Sequence, residues 1–267
     1  MFSAVLLLAI LLLVRPLAGY LPVASMAAVL FIVAMGLIDM DAMRRVWRTS
    51  RADALTLAVT FIATLTIRLE VAILVGVLVS LLVYLNWATH PRVLRVTPDP
   101  SQQRRFRRVH ADSPLCPQLD VLRIDGALFF GSVEHIRDEI EAKRADCPAA
   151  RQVLLIGSGV NLIDTAGADL LANLARQLRD SGVELYLCKL RPEVLALLER
   201  GGYLDAIGRD RVFTTKDNAV AAIYRKLDAA KCAACSARIF NECHATLPDG
   251  SLRDKPRPEL TLMPRSG

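Results

Sequence analysis

Catalytic signatures are what this sequence has least of. Its 267 residues contain no glycine-rich phosphate loop, no metal-hydrolase motif and no convincing nucleophile–base arrangement. The four histidines, His90, His110, His135 and His244, stand apart from partners in sequence. An enzyme is therefore not expected, nor is a nucleic-acid partner. Charge is missing too, but only from the first third: residues 1–14, 21–38, 55–67 and 71–85 are apolar runs with almost none. The 53% hydrophobic content, high for a soluble protein, is concentrated in those runs, so the chain divides into a membrane part and a soluble part.

The first run is not read as a cleaved signal. Met1-Phe2-Ser3 carries no basic side chain, and Arg15-Pro16 interrupts the approach to Ala18-Gly19. A short helix ending at Arg15-Pro16 is expected instead, because proline cannot continue the hydrogen-bond ladder. Residues 21–38, at 1.5 Å per residue, nearly cross a hydrocarbon core of about 30 Å. Residues 55–67 and 71–85 are shorter and are separated by Arg68 and Glu70, so neither is a standard span. Charges at that depth need protein around them, and the pair is expected to form a hairpin of short helices inside a larger assembly. Gly76 and Ser80, four apart, either let helices approach closely or face lipid. Arg44, Arg45, Arg48 and Arg51 follow the second run, and Arg92 and Arg95 follow the fourth. The positive-inside rule puts both flanks, and the soluble part with them, in the cytoplasm of a multi-pass inner- or plasma-membrane protein.

Residues 90–117 carry Pro91, Pro98, Pro100, Pro114 and Pro117 among polar residues and read as a linker. Arg104, Arg105, Arg107 and Arg108 in it either meet lipid headgroups or are simply solvated. Residues 121–124 and 127–130 read as two strands joined by a tight turn at Asp125-Gly126. Val133, Ile136 and Ile140 then mark one face of a helix, and residues 153–156 form a strand apolar on both faces. Asp164 is a good N-cap for a helix that buries Leu170, Leu171, Leu174 and Leu178. A strand over 183–187, a helix opened by Pro192, a short strand at Val212-Phe213 and a last helix bearing Val220, Ile223 and Leu227 complete the pattern. The expected domains are membrane helices at 1–89, a linker at 90–117, an α/β domain at 118–230 and a cysteine-containing tail at 231–267, disordered beyond Pro248.

This order of strand, strand, helix, strand, Asp164-Thr165-Ala166-Gly167, helix, strand, helix resembles a STAS domain, the module shared by sulfate permeases and bacterial anti-sigma factor antagonists. The upstream stretch is similar to the last helices of the sulfate permease family: residues 53–70, then Gly76-Val77-Leu78-Val79-Ser80-Leu81-Leu82, then His90-Pro91. The resemblance implies a membrane α-helical segment followed by an α/β STAS domain with a mixed sheet and packed helices. It implies secondary active transport of sulfate, bicarbonate or another inorganic anion, partnership with the remaining transporter helices or with a second copy in a homodimer, and contact with membrane lipid. The family's substrate site lies between half-helices near the membrane midplane, in parts that this chain is not expected to contain, so no substrate-binding residue is carried over. A membrane-tethered STAS module that binds a protein or nucleotide without transporting is the alternative. In the antagonists the loop holds a serine whose phosphorylation breaks docking. Ala166 stands at that position, so no such switch exists there and Thr165 offers the neighbouring hydroxyl. Asp164, Thr165 and Gly167 are read as a docking or anion-sensing helix start, or as a plain cap and turn.

Six cysteines in a cytoplasmic domain argue against a disulfide framework. Cys116, Cys147 and Cys188 are scattered, but Cys232, Cys235, Cys243 and His244 form C-x2-C-x7-C-H, and two thiolates at the first spacing can reach one tetrahedral zinc ion. Redox-active thiols and ordinary reduced cysteines remain open beside zinc, and no other cofactor is expected.

Overall fold

The computed structural model describes residues 4–8, 10, 22–99, 102–110, 113–244 and 246–252. The chain divides into two units, residues 1–83 and 84–267. In the first, residues 4–8 and 10 are helical, and Arg15-Pro16 lie outside the described residues. Helix α1 (Val23–Leu37) buries none of its residues and presents Phe31, Ile32 and Leu30 to its surroundings. A helix that is apolar all round belongs in hydrocarbon or among other helices. The arginines that follow the second run lie largely on helix α2 (Met40–Thr49), capped by Asp39, whose carboxylate accepts from Ala42 N at 2.8 Å. Met40, Met43 and Trp47 share one face of it, at spacings of three and four, while Arg44, Arg45 and Arg48 lie off that face. The charged run is thus amphipathic, a pattern suited to a membrane surface.

Helix α3 (Arg51–Thr66) is followed after Ile67-Arg68 by α4 (Leu69–Ala88). The fourth run therefore corrects its expected length: with Glu70 in its first turn it forms a 20-residue helix, about 30 Å long and matched to a hydrocarbon core. Among the described residues two helical stretches, Val23–Thr49 and Leu69–Ala88, are long and apolar enough to cross a membrane. Gly76 lies against α3, where an added Cβ would stand 2.8 Å from Thr60 Oγ1, whereas Ser80 is exposed. Only the glycine fits the close-approach reading.

In the second unit the presumed linker is sheet. Strands β1 (Arg92–Asp99) and β2 (Gln102–Arg108) pair antiparallel, and β1 also pairs antiparallel with β3 (Leu119–Leu128). The sheet runs β2-β1-β3-β4-β5-β6, with β4 (Gln152–Ile163), β5 (Glu184–Cys188) and β6 (Val212–Phe213) parallel to β3. This confirms the mixed sheet. Prolines and arginines suggested a coreless connector, yet the arginines suit the outer strand β2, where charge discourages further pairing, and Pro98 lies on β1 beyond Arg95, its last residue paired with β3. Inward-facing Val93 and Val96 are each 2% exposed.

A second correction concerns Asp125-Gly126. Strand β3 runs straight through it, and the hairpin drawn there is absent. Gly126 has φ +143°, and a Cβ would stand 2.6 Å from Pro91 Cβ. The glycine thus admits a neighbouring strand's entry rather than a turn.

Helices cover both faces. On one, α5 (Val133–Ala145), α6 (Thr165–Asp180), α7 (Pro192–Arg200) and α8 (Tyr203–Ile207) enclose a core that includes Leu122, Ile124, Val153, Leu155, Leu171 and Leu198. On the other, α9 (Lys216–Tyr224) and α10 (Ala229–Ala234) cover Val121, Leu154, Ile156 and Tyr186. The segment taken as tail is thus partly folded: Phe240 is 3% exposed, and Thr246 bridges Leu252. Apolar side chains beyond the last regular helix supply the reason, because they close this second core. Residues 253–267, expected to be disordered, lie outside the described residues.

One ion pair fastens β1 to β3. Arg95 donates to both carboxylate oxygens of Asp120, at 2.8 and 3.1 Å, and also to Lys143 O on α5. The Asp120 side chain is 2% exposed, so its charge depends on this fork. Asp120→Ala should destabilise the soluble unit by about 3–5 kcal/mol, the cost of stranding a buried partner. Chemical denaturation followed by circular dichroism measures it, and a loss below about 1 kcal/mol would show that the Arg95–Asp120 pair contributes little to holding β1 on β3.

Candidate functional site

The described residues offer two constellations. The first lies where β3 and β4 end. Parallel pairing carries them together to Leu128↔Ile163, which sets the β3–α5 turn beside the start of α6. Ser132, fully buried, closes that turn: its Oγ accepts from Phe129 N at 3.1 Å and donates to Ala127 O at 2.9 Å. Asp164 joins the two segments. Its Oδ1 accepts from Gly167 N at 2.9 Å as the expected N-cap, its Oδ2 accepts from Phe130 N at 3.0 Å, and its own N–H donates to Leu128 O at 3.1 Å.

Gly167 is required by proximity rather than by dihedral freedom. A Cβ there would stand 2.5 Å from Leu128 O, so the first turn of α6 sits directly on the strand end. The Asp164, Thr165 and Gly167 of the sequence reading are therefore one local structure, in which Asp164 and Gly167 hold the backbone and Thr165 is exposed. Two residues that sequence reasoning passed over join them. Phe130 is 78% and Leu162 57% exposed, and Phe130 makes an edge-on contact with Phe129 at 5.7 Å. An apolar residue before a glycine and one at a strand end look locally like core positions, and only the fold turns them outward.

The second constellation is the cysteines, none of which is in a disulfide. Cys232, on α10, accepts from Gln118 Nε2 at 3.3 Å. The same Gln118 amide donates to Asp228 O and accepts from Asp228 N, pinning α10 to the start of β3. Cys116, Cys232, Cys235 and Cys243 all line one cavity of about 10 Å³. Burial pushes the Cys243 thiol up to about 11, and burial raises that of Cys116 as well. His244 does not join them: it lines a different cavity with Phe106, Asp217 and Glu242. Among the described residues no three of His, Cys, Asp and Glu are set as ligands around one point. Cys188, at the end of β5, is buried and pushed up to about 12 by burial, and Cys147 lies apart, also raised by burial. Cys116 could not have been paired with the others from sequence, since only the sheet brings the approach to β3 under α10.

Comparison with known proteins places both units. The STAS domain model matches residues 116–219, and the sulfate permease family model matches residues 1–60. The chain is 29% identical over 219 residues to sulfate transporter 1.1 of Arabidopsis thaliana, covering 78% of this chain and 34% of that protein. It is 26% identical over 223 residues to the putative sulfate transporter YvdB of Bacillus subtilis, covering 80% and 38%. Among solved structures, murine solute carrier 26 family member A9, an anion transporter in its inward-facing state, superposes with a TM-score of 0.60 at 21% identity, over 71% of this chain and 32% of that one. The chain thus spans about a third of the length of the curated relatives it matches. With an N-terminal stretch and a STAS fold matched in one polypeptide, the chain is similar to the carboxy-terminal part of sulfate permease family members.

Proposed function

We propose that this chain serves as the carboxy-terminal portion of a secondary active transporter of sulfate or a similar inorganic anion such as bicarbonate, with a STAS domain that regulates it from the cytoplasm. The observation that carries the reading is the co-occurrence, in one chain, of sulfate permease helices and a complete STAS sheet. The apolar exterior of α1 supports membrane insertion, and the arginines of α2 and β1 support a cytoplasmic face by the positive-inside rule. The chain acts with the remaining transporter helices, and pairing with a second copy is part of the reading. It performs no catalysis of its own.

Of the two meanings of the α6 start, docking fits better than anion sensing. The Asp164 carboxylate already occupies the helix terminus, so an inorganic anion there would meet a like charge. Phe130 and Leu162 beside it are apolar and exposed, as a protein partner requires.

Labelled sulfate or bicarbonate should enter proteoliposomes that contain this chain together with an upstream sulfate permease segment, and not those that contain the chain alone. Uptake by the chain alone would show that it holds a substrate site; uptake in neither case would favour the non-transporting STAS module. Within the docking face, Asp164→Ala should cost about 1–2 kcal/mol in denaturant unfolding through the lost cap. Phe130→Asp should change stability by no more than about 0.5 kcal/mol, as at an exposed site, while lowering reconstituted uptake several-fold. Unchanged uptake with Phe130→Asp would remove this face from regulation.

A further inference from the structure

A cleft of about 440 Å³ lies in the second unit, lined by Arg92 and its neighbours on β1, by Arg108 at the end of β2, and by His90, His135, Glu139 and Lys143. Its walls follow from the strand pairing. Arg92–Arg95 pair with β3 and Val96–Asp99 with β2, so the outer edge of the first half of β1 borders the cleft. On α5, His135, Glu139 and Lys143 stand four apart and form one row along one face. The His90 and His135 rings meet at 4.8 Å between centroids and join the two sides. His90 Nδ1 donates to Asn86 O at 2.7 Å, which holds that ring in place. The charge of the lining is positive. Lys143 is matched by Glu139 at 3.4 Å, but among the described residues Arg92 and Arg108 make no ion pair. Asp125, opposite Arg92 across the strands, is taken by Arg123, which donates to its Oδ2 at 3.0 and 2.6 Å.

We propose that this cleft binds a phosphomonoester carried on a molecule the size of a lipid headgroup, with Arg92 and Arg108 holding the phosphate and His135 and Lys143 as further donors. A guanidinium is planar and meets phosphate oxygens two at a time. A phosphomonoester carries about two negative charges near neutral pH, which matches the two arginine charges left once Glu139 offsets Lys143. Size separates this ligand from a bare tetrahedral anion such as sulfate, which would leave most of the 440 Å³ to water. The volume falls in the ordinary range of small-molecule sites. Two sources share the chemistry: a soluble phosphorylated metabolite and a lipid such as phosphatidic acid. The lining begins two residues beyond the end of α4 at Ala88. The lipid source therefore rests on the reading of α4 as a membrane span, and the soluble source does not.

The full chain tests both sources, with amide hydrogen exchange of peptides covering residues 90–95 and 133–143 as the readout. Glycerol 3-phosphate is titrated onto the chain in detergent, and phosphatidic acid or phosphatidylglycerol is mixed into phosphatidylcholine nanodiscs that hold it. Glycerol 3-phosphate, phosphatidic acid or both should slow exchange in the two peptides, and whichever does so names the source. The detergent arm is read whether or not α4 spans a bilayer. Sulfate and phosphatidylglycerol, which are anionic but lack a phosphomonoester, should protect several-fold less. Arg92→Gln and Arg108→Gln, both at exposed positions that folding does not need, should each weaken binding by about tenfold or more. Arg105→Gln, on the same strand as Arg108 but outside the lining, should leave it unchanged. Glu139→Gln removes a like charge and should strengthen binding several-fold. Protection by neither phosphomonoester, equal protection by sulfate or phosphatidylglycerol, a loss with Arg105→Gln as large as with Arg92→Gln, or weaker binding on Glu139→Gln would each overturn the proposal.

Discussion

Parallel pairing of β3 with β4, from Leu119↔Gln152 to Leu128↔Ile163, constrains nearly everything in the soluble unit. A parallel pair cannot close through a tight turn, so α5 must cross between the strands, and two faces remain to be covered. Alternate residues of β4 serve the two cores: Val153 and Leu155 face α5 to α8, while Leu154 and Ile156 face α9 and α10. The same pairing ends both strands together, which places the β3–α5 turn beside the α6 start and allows one carboxylate, Asp164, to bind both. At the opposite end the approach to β3 passes beneath α10, where Gln118 and Cys116 meet it. Both candidate sites are consequences of one ladder.

The membrane unit obeys a different constraint. With no water to satisfy the backbone, its segments are helices throughout the described residues, and small side chains carry their contacts. Ala54, Ala63 and Ala72 are the buried residues of α3 and α4, and Gly76 admits Thr60. Large apolar residues such as Phe61, Leu65 and Leu74 remain uncovered. Only a hydrocarbon phase or further helices can accept so much of their surface.

Legibility in the sequence followed how local the deciding interaction was. The helix over α6 was readable because its cap and its leucines lie within a few turns, and Pro192 marked the start of α7 for the same reason. Strands β1 and β2 were not, because Pro98 and the arginines of β2 carry linker chemistry and become strand only through the pairing of β1 with β3 and of β2 with β1. Asp125-Gly126 carried the strongest turn signal in the domain, and a distant residue, Pro91, used its glycine instead. The cap at Asp164 was predicted, but its second bond to Phe130 N spans 34 positions and was invisible. Spacing found three of the clustered cysteines and put His244 with them; the fold supplied Cys116 and turned His244 elsewhere.

The proposed arrangement, a membrane-embedded chain whose STAS domain faces the cytoplasm, is tested most directly by sidedness. Sealed vesicles of both orientations, prepared from cells that express the chain and treated with trypsin, would be probed for the exposed lysines and arginines of the domain. The expected result is cleavage of the STAS domain in inside-out vesicles and protection in right-side-out vesicles, with the protein retained in the membrane after an alkaline wash. Protection in inside-out vesicles with cleavage in right-side-out ones, or release of the chain by the wash, would contradict it.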